Sequence, residues 1–364
     1  MACIGEFDFL AKESFMTDRT IKILLAAAAA VSVFGIFGIT YTKTRQSEPV
    51  SATAFKLNTV VTVTLYDSQD QDILQGALDL CDQYEKIFSR TLEGSELYRL
   101  NAGKLTEENG FYTLSKPLAD LTAAGLYYGE LSGGAFDISI APVSSLWDFT
   151  SGEGTVPDSD AIKDALKRVS IQDITLDGNQ LHFAQKGMEL DLGALAKGYI
   201  ADRIKDYLLK QGVQSAIIDL GGNVLCVGSR PDGSPFRIGL QKPFAGYSET
   251  VGSLEITGQS VVSSGIYERY FQEDGTLYHH ILNPETGYPY DNGLVSVTII
   301  SEKSLDGDGL STACFAMGLE KGMELIDRLP DIHAVFITED GELHFSQGFE
   351  EHVAVDLKES LTLP

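Results

Sequence analysis

Asp191-Leu-Gly-Ala-Leu-Ala-Lys-Gly-Tyr-Ile-Ala-Asp-Arg-Ile-Lys-Asp-Tyr-Leu-Leu-Lys-Gln-Gly212 reads as a helix, and the elements on either side of it decide the class of fold. Leu192, Leu195, Ala196, Tyr199, Ile200, Ile204, Tyr207 and Leu208 recur with the helical period and form one apolar stripe, and Gly212 is placed to stop it. Two short apolar runs then lie on either side of Gly221-Gly222, which predicts strands over 215–220 and 224–227. Outward from here, helices and strands are mixed without the steady βαβ rhythm of a doubly wound sheet. The expected class is therefore α+β.

Upstream, 53–66 is rich in Val and Thr and reads as one strand. In 72–88, Ile73, Leu74, Ala77, Leu78, Cys81, Tyr84 and Phe88 keep a helical spacing. A polar connection over 89–101 leads to a second helix at 117–132, stopped by Gly133-Gly134, and a short third one at 159–169. Strands over 171–176 and 180–184 flank the turn Asp177-Gly178-Asn179. Downstream, strands near 236–240 and 294–300 lead into Leu305-Asp-Gly-Asp-Gly-Leu-Ser-Thr-Ala-Cys-Phe-Ala-Met-Gly318. This segment reads as a glycine-rich acidic turn that opens a helix near Asp308. Such a helix sets Asp308 and Thr312 four residues apart on one face. A carboxylate and a hydroxyl there suit a hard cation such as Mg2+.

The chain of 364 residues is 43% hydrophobic and 22% charged, an ordinary globular composition. Residues 1–50 hold five basic and five acidic side chains, so the whole net charge of -25 belongs to residues 51–364. That excludes a nucleic-acid binder, which needs a basic footprint. An anionic ligand would need local help from a metal, a lysine or backbone amides. From 23 to 41 the chain is uncharged and mostly apolar, just long enough to span a bilayer, with Arg19 and Lys22 before it and Lys43 and Arg45 after it. It is read as an N-terminal membrane anchor, with a cleaved signal peptide as the rival. The expected organisation is an extension over 1–22, the anchor or signal segment over 23–41, a tether over 42–52, a catalytic domain over 53–350 and a tail over 351–364. Cys3, Cys81, Cys226 and Cys314 are isolated, so neither a zinc site nor a disulfide framework follows.

The common nucleotide and hydrolase motifs are absent: no phosphate-binding Gly-x-x-x-x-Gly-Lys-Ser/Thr, no Gly-x-Gly-x-x-Gly, no Gly-x-Ser-x-Gly and no His-Glu-x-x-His. Asp306 to Met317 resembles a calcium loop only at its first and third positions. Three polar, glycine-punctuated segments remain. Asp191 stands before the helix, with small residues in its first turn and Lys197 about two turns in, an arrangement that can meet a phosphate or simply cap a helix. Ser263-Ser-Gly-Ile-Tyr-Glu-Arg-Tyr precedes Tyr278-His279-His280-Ile-Leu-Asn-Pro-Glu-Thr-Gly, whose histidines can supply a base or serve as hydrogen-bonded structural residues. The third is the segment around Asp308, which alone also fits a surface turn.

Taken together, Asp191-Leu-Gly-Ala-Leu-Ala-Lys-Gly-Tyr, Ile218-Asp-Leu-Gly-Gly-Asn, Ser263-Ser-Gly, His280-Ile-Leu-Asn-Pro-Glu-Thr-Gly and Asp308-Gly-Leu-Ser-Thr closely resemble the ApbE family over roughly 53–350. The resemblance implies an α+β fold with FAD in a cleft and a Mg2+-dependent FAD:protein FMN transferase acting outside the cytoplasmic membrane. Such enzymes split FAD and attach FMN by a phosphoester to a Thr or Ser of an acceptor protein, typically a membrane redox subunit. Some members instead hydrolyse FAD to FMN and AMP, and a non-catalytic flavin-binding protein is the remaining alternative. By the same resemblance, Asp308 and Thr312 match metal ligands and Ala194 gives its backbone carbonyl to the metal. Asp191, Lys197, His279 and the stretch Ala135-Phe136-Asp137 match flavin-nucleotide contacts, and His280 matches the catalytic base. Leu57-Asn58-Thr59 stands where many members have Met-Gly-Thr, which makes Leu57 an isoalloxazine contact. Thr91 falls where members carry the residue associated with transfer or hydrolysis. The implied location is a single-pass membrane protein with its catalytic domain on the extracytoplasmic side.

Overall fold

The computed structural model describes residues 48–149, 154–246 and 249–358. Its centre is an eight-stranded antiparallel sheet in which the order in space is the order in the chain. The strands are β1 (Val50–Lys56), β2 (Thr59–Leu65), β3 (Ala216–Leu220), β4 (Val224–Val227), β5 (Ser260–Gly265), β6 (Leu294–Ser301), β7 (His333–Thr338) and β8 (Leu343–Phe345). Four helices shape the site: α1 (Gln71–Phe88), α2 (Lys116–Leu131), α3 (Gly193–Lys210) and α4 (Ser304–Met317). Smaller sheets flank them. Phe236–Gln241, Thr250–Ile256 and Val355–Leu357 form one, Tyr270–Glu273 and Thr276–His279 a hairpin, and four short strands between Glu107 and Phe183 a third. The class is α+β, in one domain.

Burial explains which sequence patterns were readable. β2 alternates, with Val61, Val63 and Leu65 fully buried and Thr62 and Thr64 on the other face, as a half-covered strand should. β6 is buried at every position, because the sheet centre is covered on both faces, so apolar residues fall on both of its faces, with Ser296, Thr298 and Ser301 as buried hydroxyls among them. α3 and α4 lie against each other over the sheet. Cys81, Cys226 and Cys314 are free and buried.

Several expectations change. The single strand over 53–66 is a hairpin that turns at Leu57 and Asn58, both with φ near +55° (53° and 57°). Positive φ at both central residues is what a tight hairpin turn requires, yet neither is glycine, so the usual signal is missing. The polar connection over 89–101 contains a short helix, Glu96–Asn101. The Asp-Gly-Asp-Gly segment is no surface turn. α4 begins at Ser304, four residues before Asp308, and Gly307, Asp308 and Gly309 are buried inside it. A Cβ on Gly309 would lie 2.4 Å from the Tyr128 ring, so these glycines admit close neighbours. The ordered domain also extends past the expected tail boundary, since Val355–Leu357 pairs with Thr250–Ile256. The apolar run over 23–41 and the segments around it lie outside the described residues. Among the described residues no helix is long and apolar enough to cross a membrane.

Candidate active site

The site is built where α3 crosses α4. Gly198 in α3 has no room for a side chain, because a Cβ there would lie 2.4 Å from the Ser304 carbonyl oxygen and 2.8 Å from Asp308 Cβ. That approach lets the Gly198 amide donate to Asp308 Oδ2 at 2.8 Å. Asp202, one turn further along α3, accepts from the amides of Ser304 and Leu305 at 2.8 and 3.1 Å. It caps α4 from a different helix, satisfying amides that have no partner within α4. Asp306 accepts from the Tyr128 hydroxyl at 2.7 Å, a structural bond in the first turn of α4.

Asp308 is 5% exposed, and burial raises its carboxyl above the usual range. The charge of Lys197, the Gly198 amide and the Asn223 amide pull it back. Asn223 leans on Asp308 electrostatically, but its Nδ2 makes no hydrogen bond of good geometry, while its Oδ1 accepts from Ser304 Oγ at 2.6 Å. Thr312, one turn after Asp308, has its hydroxyl 3.0 Å from Ser264 Oγ, which also lies 2.9 Å from Ser311 Oγ. Lys197 acts electrostatically on Asp219, Glu268, His280 and Asp308 at once, so it is the shared cation of the cluster. Glu268 keeps a solvent-open surface while protein crowds its other sides, and that crowding raises its carboxyl.

The two histidines divide. His279 is buried; its Nε2 lies 2.9 Å from the Tyr290 carbonyl oxygen and its Nδ1 accepts from the Ile281 amide at 3.2 Å. Burial depresses its pKa to about 4, so it is a neutral structural residue. His280 Nδ1 is buried with no partner. Burial first, then the positive charge of Arg269, depresses this imidazole to about 3, leaving a neutral ring with a free nitrogen beside Lys197.

The remaining expected residues are less uniform. Both oxygens of Asp191 have protein partners: Gly193 N at 3.0 Å, Arg90 Nε at 3.0 Å and Ser144 Oγ at 2.9 Å. This carboxylate fixes the start of α3, where Ala194 lies half-buried in the first turn. The Asp137 carboxylate is half-buried and accepts from Ser139 N, Ser139 Oγ and Ile171 N, so it holds a loop together. Phe136 packs into the core, and the Ala135 carbonyl accepts from Tyr290 Oη at 2.8 Å. Thr91 is exposed, with Ser89 as its hydrogen-bond partner. Leu57 is half-buried at the β1–β2 turn.

The ApbE family model matches residues 57–336. The chain belongs to the ApbE family. Among its relatives, the FAD:protein FMN transferase of Klebsiella pneumoniae (strain 342) is 40% identical over 300 residues, covering 81% of this chain and 91% of that one. The FAD:protein FMN transferase of Treponema pallidum (strain Nichols) is 33% identical over 318 residues, covering 82% and 87%. The solved flavin transferase ApbE from Vibrio cholerae superposes with a TM-score of 0.74 at 25% identity, covering 84% of this chain and 99% of that one.

For this ApbE-family chain, the donors fit a small hard cation in kind: one carboxylate and one hydroxyl a turn apart. Among the described residues no three His, Cys, Asp or Glu gather as a metal cluster. A cation there would therefore lean on Asp308, Thr312, a backbone carbonyl such as that of Ala194, and oxygens of the substrate. The residues that sequence reasoning left without roles are Asn223, Ser264, Ser304 and Asp202. The first two lie in the conspicuous stretches 218–223 and 263–265, which were the available signal. Asp202 and Ser304 had none, because their bond joins two helices far apart in sequence.

Proposed function

We propose that the protein is a Mg2+-dependent FAD:protein FMN transferase. It cleaves the FAD pyrophosphate, joins FMN by a phosphoester to a Thr or Ser hydroxyl of an acceptor protein and releases AMP. The observation that carries this reading is Lys197 and the Gly198 amide meeting Asp308 in an otherwise strongly acidic chain of the ApbE family. A pyrophosphate needs such a cationic point to enter. When bound to Asp308, Thr312 and the Ala194 carbonyl, Mg2+ would neutralise charge on the pyrophosphate oxygens. The chain's own residues do the rest. Lys197 attracts and orients the phosphates, and Lys197 and the Gly198 amide oppose the upward shift that burial imposes on the Asp308 carboxyl. The unpartnered His280 Nδ1 takes the proton of the acceptor hydroxyl, and an anionic pyrophosphate nearby raises its basicity. The hydroxyl oxygen forms its bond to the FMN-side phosphorus as the bond to AMP breaks. Positioning and charge complementarity supply most of the acceleration, as in other phosphoryl transfers. We further propose that 23–41 anchors the protein in the membrane with this domain on the extracytoplasmic side, where membrane redox subunits would be the acceptors.

The test is incubation of the protein with FAD, Mg2+ and membranes of the host, read for AMP, free FMN and flavin fluorescence that survives denaturing electrophoresis. Covalent flavin with AMP is the expected result. Free FMN with AMP would make it a hydrolase, and intact FAD a binding protein. Asp308→Asn keeps the shape and an acceptor for the Gly198 amide, and should lower transfer about 10³-fold while the protein stays folded. Unchanged Mg2+-dependent transfer in that variant refutes the assignment.

A further inference from the structure

α4 lies along β5 with the two in step. A Cβ on Gly307 would meet Val262 Cγ2 at 2.7 Å and Ser260 Oγ at 3.1 Å. Val262 and Ser264 share one face of the strand, about 6.6 Å apart, while the helical turn from Gly307 to Ser311 rises about 6 Å. The next contact along is therefore Ser264 against Ser311 and Thr312, whose hydroxyl oxygens lie 2.9 and 3.0 Å from its Oγ. Ser311 Oγ lies in turn 3.0 Å from the Asp308 carbonyl oxygen. A chain of oxygens thus runs from the side chain of Thr312 to the backbone of Asp308.

One arrangement of the hydrogens satisfies every hydroxyl. The Asp308 carbonyl can only accept, so Ser311 donates to it. Ser311 has a single hydrogen and must then accept from Ser264, and Ser264, with its own hydrogen committed, accepts from Thr312. Run the other way, the chain would leave the Thr312 hydrogen without a protein acceptor among the described residues. A threonine in a helix ordinarily turns its hydroxyl back to a carbonyl of the preceding turn. Here Ser311 does that, and Thr312 reaches across to the strand.

We propose that Ser264 is a positioning residue for the cation site: by accepting the Thr312 hydrogen it leaves the remaining lone pairs of that hydroxyl free for a hard cation shared with Asp308. The proposal rests on the reading of Asp308 and Thr312 as cation ligands. A hydroxyl that keeps its hydrogen can coordinate a cation only when the hydrogen points elsewhere, and Ser264 fixes that direction before any ligand arrives. The chain of hydroxyls ends on Asp308, so the two residues read as ligands are tied together through Ser264 and Ser311. It also gives the stretch Ser263-Ser264-Gly265 a task in the chemistry.

The experiment titrates the full-length protein with Mn2+, following free Mn2+ by electron paramagnetic resonance, for the wild type, Ser264→Ala, Ser311→Ala and Asp308→Asn. An acidic chain gathers cations weakly over its surface, so the site is defined as the saturable binding that Asp308→Asn removes. Ser264→Ala should bind Mn2+ there about 10- to 100-fold more weakly while melting within a few degrees of the wild type. Ser311→Ala leaves Thr312 its acceptor, since water can take the hydrogen of the half-buried Ser264, and should weaken binding far less. Plain packing would give the opposite ranking, because Ser311 is fully buried and Ser264 is not. Equal affinity in the wild type and Ser264→Ala overturns the proposal. A loss in Ser311→Ala as large as in Ser264→Ala overturns it too, as does a collapse of the Ser264→Ala melting temperature. If the wild type has no Mn2+ site that Asp308→Asn removes, the cation reading itself has failed. A wild-type site that Ser264→Ala leaves untouched removes the positioning role alone.

Discussion

His279 and His280 are adjacent in sequence and opposite in circumstance. One has both ring nitrogens bonded inside the protein, and the other keeps a buried nitrogen without a partner. The sequence placed a histidine pair before a turn but could not tell which ring is structural, because that depends on how the turn folds back to bring the Tyr290 carbonyl against one ring and not the other. Their titration has a definite sign. Burial sets His279 at about 4 in the folded state, against 6.5 when exposed. Above pH 6.5 the ring is neutral in both states and contributes nothing. As pH falls below that, the unfolded chain takes up a proton that the folded chain refuses, so stability is lost progressively toward pH 4. The full loss is on the order of 3 kcal/mol. His279→Gln retains an amide donor for the Tyr290 carbonyl and does not titrate. Between pH 7 and pH 5 the urea midpoint of the wild type should fall further than that of the variant; parallel falls would refute it. For catalysis, His280 is neutral throughout the physiological range, so its acid limb should lie well below pH 6 in a rate profile. His280→Ala should slow transfer by about 10²–10⁴, and a profile unchanged in height would remove it from the mechanism.

At the scale of elements, the α3–α4 crossing governs whether Asp308 meets its partners. The four-residue spacing of Asp308 and Thr312 was legible, since it depends only on helix geometry. The true start of α4 was not. Asp-Gly-Asp-Gly has the composition of a turn, and only the press of Tyr128 and of Val262 on the two glycines explains why it is a buried helix. The cap that starts the helix at Ser304 comes from Asp202 in α3. The hairpin turn at Leu57 and Asn58 stayed hidden for a related reason: Asn58 takes a positive φ readily, but Leu57 does not advertise one, and no glycine marks the turn. Gly198→Ala tests the crossing. A methyl group would meet the backbone of Ser304, and backbone cannot swing aside. The two helices must part, at a loss of about 1–3 kcal/mol, and transfer should drop because the bond from Gly198 to Asp308 lengthens. A variant with wild-type melting temperature and wild-type rate would show that the contact is not what holds the site.

For the whole molecule, the α+β class was legible from the irregular alternation of elements, whereas the sheet order was not, because pairing between β2 and β3 spans 66–215. Periodicity reports what a segment buries and is silent about which distant strand will bury it. The N-terminal segment offers a test at this scale. A chain beginning at Glu48 contains every described element and should melt within a few degrees of the full-length protein. It should also remain in the supernatant when membranes are pelleted. Co-sedimentation of that shortened chain with membranes would refute the anchor. Finally, the coincidence of chain order and spatial order has a consequence for synthesis. The first hairpin leaves the ribosome or a translocon early, but β3, which pairs with the inner edge of β2, arrives only after 66–215 have been made. Until then a nascent chain presents an open strand edge, with α1 able to cover only its inner face. That interval is when a chaperone has most to do, and when the protein is most exposed to joining another unfinished copy of itself.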